Sequence, residues 1–162
     1  MTRIFALILV LFFAVLMQAD AYATDAASDE NVAPPSSESI EHLQKTGAGL
    51  KTVKLNNLSA RVKDKTVKLV FGADGKFNYT INEIRVNNIL YIQLLLHPVE
   101  LELTIIPEFK SAIVDSIRLQ RLEGNVARIL IKMKTDQFRY KFNQDLKRLT
   151  LNIESLIKDG AR

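Results

Sequence analysis

The string Phe138-Arg139-Tyr140-Lys141-Phe142-Asn143 repeats an earlier one, Phe77-Asn78-Tyr79-Thr80-Ile81-Asn82, on the pattern F-x-Y-x-[IF]-N. Its surroundings repeat in the same order. Val53 to Leu58 answers to Ile117 to Leu122. Val67, Leu69 and Phe71 answer to Ile129, Ile131 and Met133, and Leu90, Ile92 and Leu94 to Leu149, Leu151 and Ile153. Within these blocks apolar residues alternate with polar ones, the period of a half-buried strand. A duplicated β unit has an apolar face on every strand, and two sheets stacked face to face bury it. The expected fold is therefore mainly β, a small sandwich of two related, antiparallel-rich sheets built from an internal duplication.

Turn chemistry divides the strands. Lys63-Asp64-Lys65, Asn87-Asn88 and Glu123-Gly124-Asn125 read as turns. Gly72-Ala73-Asp74-Gly75 reads as a hairpin turn in which Asp-Gly supplies a positive φ. Residues 89–96 are apolar on both faces, which predicts a central strand covered on both sides. Residues 99–105 alternate again and predict a further strand, closed by Pro107. Asn82 and Asn143 are expected to serve turns at the ends of equivalent strands.

The chain is 162 residues long, enough for one domain and its appendages. Arg3, an apolar run of 14 residues (4–17) and Ala21-Tyr22-Ala23 follow the grammar of a secretory signal peptide over 1–23, cleaved after Ala23. That run is shorter than the ~20 residues a membrane span needs, so contact with a membrane is expected only through the signal peptide. Residues 24–50 carry five carboxylates against one lysine, a net charge of −4. They are expected to form a flexible acidic linker with a short helix over 37–45, Ser37 as its N-cap and Gly47 as its stop. The domain spans 51–156, and 157–162 is a basic tail. With no Cys in the chain, disulfides and thiol chemistry are closed.

Residues 51–162 hold 20 Lys and Arg against 12 Asp and Glu, a net charge of +8. An exported domain of that charge favours anionic partners such as wall carboxylates, lipid phosphates or acidic proteins. No nucleic-acid motif accompanies the charge. The period of two places Arg118, Arg128, Lys132, Arg139, Lys141 and Arg148 opposite the core of the second unit. The matching positions of the first unit, Lys54, Lys68, Asn78, Thr80 and Gln93, are mostly neutral. The six cations are expected to share one basic sheet face able to grip carboxylates or phosphates through Arg forks. Catalysis finds no support. His97 is the single His of the domain, no His/Glu cluster has zinc spacing, and nothing completes an acid–base site around Glu100 and Glu102. No cofactor and no metal are expected.

The segments Ile113-Val114-Asp115-Ser116-Ile117-Arg118-Leu119, Gly124-Asn125-Val126-Ala127-Arg128-Ile129-Leu130-Ile131, Tyr140 and Leu149-Thr150-Leu151-Asn152-Ile153 resemble the AMIN domain family over residues 51–156. Arg128 matches the Arg of that family's pattern, and the equivalent position of the first unit is read as Thr66. The resemblance implies two symmetric small β-sheets. It also implies a non-catalytic module that localises envelope proteins, such as cell-wall amidases and secretins, by binding peptidoglycan. The expected function is thus an exported, periplasmic binding module that contacts peptidoglycan or another anionic envelope component through the basic face. The alternatives are an assembly partner of a pilus or secretin-type machine, using the strands 89–96 and 99–105 for β-addition, and a lipid- or lipopolysaccharide-binding sandwich.

Overall fold

The computed structural model describes residues 32–157 except Thr104. The signal peptide, residues 24–31 of the acidic linker and residues 158–162 of the tail lie outside the described residues. One helix, α1 (Ser37–Thr46), precedes nine strands: β1 (Val53–Lys63), β2 (Thr66–Ala73), β3 (Asn78–Val86), β4 (Ile89–His97), β5 (Val99–Leu101), β6 (Val114–Leu122), β7 (Val126–Met133), β8 (Phe138–Gln144) and β9 (Arg148–Ser155). They form a sandwich of two sheets. Sheet A runs β5-β1-β2-β9-β8 and sheet B runs β3-β4-β7-β6.

Neither sheet belongs to one repeat. Each takes one hairpin from each: β1–β2 joins β9–β8, and β6–β7 joins β4–β3. Replacing every strand by its repeat partner converts the order β1-β2-β9-β8 into β6-β7-β4-β3, so the two sheets are copies of one pattern. The registers agree when the F-x-Y strings are superimposed. Tyr79 opposes Leu96 and Leu96 opposes Ala127, as Tyr140 opposes Ile153 and Ile153 opposes Val67. Ala60 opposes Leu69 as Leu119 opposes Ile129. Three block equivalences therefore shift. The β2/β7 and β4/β9 blocks each move by two residues, which preserves the face of every side chain. The β1/β6 block moves by five, and a bulge between Leu55 and Asn57 helps absorb the odd offset. In this register the counterpart of Arg128 is Lys68, not Thr66.

The core lies between the sheets, with Leu69, Phe71, Phe77, Ile92, Leu94, Leu96, Ile129, Ile131, Leu149, Leu151 and Ile153 all buried. Each fully buried aliphatic side chain contributes about 1.5–3 kcal/mol of transfer free energy. β4 is the central strand expected, buried on both faces over residues 91–96. Its second face is covered by α1, through Leu43 against Leu95 and Val126, with Ile40 and Leu122 alongside. Amphipathic spacing and a polar start make α1. Its N-cap is Ser36, one residue before the expected Ser37, with the Ser36 hydroxyl accepting from Ser39 N–H at 3.3 Å. Gly47 closes it as expected.

Three turns fall where the residues placed them. Asp64, Asn87, Asn88, Gly124 and Asn125 all take positive φ. The segment 72–77 does not form a hairpin. It carries the chain from sheet A to sheet B, and neither Asp74 nor Gly75 takes a positive φ. Asn82 and Asn143 sit inside β3 and β8, opposite Gln93 and Thr150, and serve no turn. The strand expected over 99–105 shortens to β5, which pairs parallel with β1 from Val53↔Val99 to Leu55↔Leu101.

Candidate functional site

Because each repeat feeds both sheets, the six cations drawn from the second repeat separate. Arg118, Arg128 and Lys132 lie on β6 and β7 in sheet B, whereas Arg139, Lys141 and Arg148 lie on β8 and β9 in sheet A. The single basic face expected of the second unit is therefore divided between the outer faces of opposite layers. The cause is the crossover between β7 and β8, which a periodicity read within one repeat does not reveal.

On sheet B the basic character is covered or neutralised. Lys132 Nζ lies 3.5 Å from Asp115. Arg128 is 3% exposed, beneath the segment that leads into α1. Its Nε donates to Gln93 Oε1 at 2.8 Å, its Nη1 to Gln120 Oε1 at 3.2 Å and its Nη2 to the carbonyl oxygen of Ala33 at 2.6 Å. The strand register makes this cluster, since Gln120 on β6 opposes Arg128, and Gln93 on β4 stands two residues from Leu95, which opposes Arg128 from the other side. Burial pulls the Arg128 guanidinium below its ordinary value.

On sheet A the outer face is open, and the first repeat supplies half of its charge. Arg61 opposes Lys68, Lys68 opposes Asn152, and Asn152 opposes Lys141, one row across four strands. The neighbouring row runs Lys63, Thr66, Glu154, Arg139, and Arg148 stands opposite Gly72. Arg61, Lys63, Lys68, Arg139, Lys141 and Arg148 are all exposed. At a strand spacing of about 4.8 Å the first row extends about 14 Å. One ion pair interrupts the face: the Arg139 guanidinium donates to Glu154 Oε2 at 2.8 Å. Among the described residues, Arg61, Lys63, Lys68, Lys141 and Arg148 form no ion pair. Like charges set side by side on adjacent strands repel, so Arg61 and Lys68 do not stabilise one another.

Periodicity finds Lys141, Arg139 and Arg148 but passes over Arg61 and Lys63, because the parity set by Val53 and Leu55 turns Arg61 inward and Lys63 reads as a turn residue. The signal was present as the alternation Asn57, Ser59, Arg61, Lys63, which becomes outward-facing after the bulge. At the far end of the sandwich, Lys54 pairs with Glu102 at 2.5 Å, and Glu102 raises its pKa through that hydrogen bond and its charge. That end is not part of the open basic face. The strand over 89–96 offers no edge for β-addition either, because β4 is hydrogen-bonded to β3 on one side and β7 on the other. No protein-family model, no curated protein and no solved structure matches the chain.

Proposed function

We propose that this chain is an exported, non-catalytic binding module that localises to the cell envelope by laying the outer face of sheet A on peptidoglycan. One observation carries the proposal: the uncovered row Arg61–Lys68–Asn152–Lys141, with Lys63, Arg139 and Arg148 around it and Glu154 paired to Arg139. Two sheets of equal register have diverged on their outer faces. Sheet B is apolar beneath α1, and sheet A is basic and open. Peptide-bearing glycan presents carboxylates along a flat, extended surface, which suits a flat sheet of Arg and Lys better than a pocket would. The AMIN resemblance supports the same reading, because it implies two symmetric sheets in a localising module.

Co-sedimentation with purified peptidoglycan sacculi tests this. The native chain is expected to pellet with them, and Lys68→Glu/Lys141→Glu is expected to remain in the supernatant. Equal pelleting of both proteins would remove the face from the account. Exposed charges are screened within about 8–10 Å at physiological salt, so binding by this face also weakens as salt rises.

A further inference from the structure

The buried cluster on sheet B rests on a different observation from the open face on sheet A. Arg128 is the central cation of its sheet, as Lys68 is of the other, but among the described residues no opposite charge pairs with it. Its three acceptors, Gln93 Oε1, Gln120 Oε1 and the Ala33 carbonyl, are all neutral. Among the described residues no carboxylate stands within ion-pair distance of it. Removing an ion from water without an opposite charge is costly, and a neutral donor would hold one backbone carbonyl at less expense. Gln93, itself 4% exposed, and Gln120 fix the plane of the guanidinium. Its remaining partner comes from residues 33–36, which have no regular structure and include Pro34 and Pro35. Neither proline has an N–H with which to fasten the segment to the sheet.

We propose that Arg128, Gln93 and Gln120 form a carboxylate-binding site, and that the carbonyl of Ala33 fills it in the state described here. A carboxylate entering as residues 33–36 lift away would accept from the Nη edge that now meets Ala33. It would turn a charge–dipole contact into a charge-assisted, fork-shaped pair. Because the covering segment runs directly into α1, occupancy by a carboxylate would also loosen the helix from β4. The site thus reports binding to the one segment that connects the sandwich to the residues before it.

The test is a titration of the full-length chain followed through its Arg side-chain N–H resonances. The probes are N-acetylglycine, which carries a free carboxylate, and N-acetylglycinamide, which does not. N-acetylglycine is expected to shift the Arg128 Nε–H resonance saturably, and the amide to bind at least tenfold more weakly. Pro34→Gly/Pro35→Gly makes lifting the segment easier and is expected to tighten carboxylate binding several-fold. Arg128→Lys keeps the charge but not the fork and is expected to weaken it at least tenfold, read at the Gln93 and Gln120 side-chain amides. Lys68→Glu/Lys141→Glu should leave the response unchanged, which separates this site from the face on sheet A. A non-saturating shift, an equal response to the amide, indifference to the proline replacements, or loss in the sheet A variant would each overturn the proposal.

Discussion

Tyr79 and Phe142 meet edge to face, with ring centroids 5.5 Å apart and planes at 79°. One ring comes from each copy of the F-x-Y-x-[IF]-N string and one from each sheet, so the two copies close one side of the sandwich against each other. Gln144 Nε2 donates to the Phe77 carbonyl at 2.6 Å, crossing the same seam. Burial raises the pKa of both Tyr79 and Tyr140, and for Tyr140 the Glu83 charge and hydrogen bond add to the rise. A double-mutant cycle with Tyr79→Leu and Phe142→Leu, followed by urea denaturation, is expected to give a coupling of about 0.5–1.5 kcal/mol. A coupling of zero would mean that the seam is held by burial alone.

Leu43 is the anchor of α1, fully buried against Leu95 and Val126. A ten-residue helix is marginal by itself, so its order depends on this contact. Leu43→Ala should cost about 2 kcal/mol of docking free energy. Native-state hydrogen exchange is expected to show α1 amides losing protection while the amides of β2, β4, β7 and β9 keep theirs.

His97 ends β4 beneath Gly47, and its Nδ1 is buried without a hydrogen-bond partner. Desolvation holds its pKa below the ordinary 6.5. The unfolded chain therefore binds the proton more readily, and the stability linked to this group is lost as pH falls through 6.5 and on to the lower folded value. Thermal denaturation across that window should show a smaller acid-side decline for His97→Gln than for the native chain. Gly47→Ala should destabilise at every pH, because its Cβ would collide with the His97 ring.

Asn87 and Asn88 join β3 to β4 with φ of 49° and 64°. Both residues lie in the left-handed region, the geometry of a two-residue type I′ hairpin. Asn88→Gly produces the Asn-Gly pair that this turn favours and is expected to raise stability by about 0.5 kcal/mol. Calorimetry can resolve the corresponding rise in Tm.

The period of two made the strands and their faces legible, and the positive-φ Asn and Gly residues marked three of the turns. The four recurring blocks also announced two related sheets. What they could not announce was the exchange of hairpins between the sheets. Alternation says which side of a strand is buried and is silent on which layer the strand joins. Gly72 to Gly75 therefore read as a hairpin when it is a crossover, and six cations of one repeat read as one face when they occupy two. Arg128 kept its outward parity but is buried, because α1 and its leading segment cover the outer face of sheet B. Its neighbours in sequence carry no trace of a cover supplied from 95 residues upstream. Lys68 stands among the mostly neutral positions of the first repeat in sequence, and only the pairing of β2 with β9 and of β9 with β8 brings it into one row with Lys141.

A contact surface on the outer face of sheet A makes binding depend on where the cations stand and not on net charge alone. Binding isotherms on purified sacculi, for chains of matched charge, test it most directly. Lys68→Glu/Lys141→Glu removes two cations from the face. Lys45→Glu/Lys51→Glu makes the same change in net charge at exposed positions on α1 and just before β1. The first variant is expected to bind at least tenfold more weakly than the native chain, while the second stays within about twofold. Equal weakening of both would show that net charge alone governs binding, and undiminished binding by Lys68→Glu/Lys141→Glu would contradict the account outright.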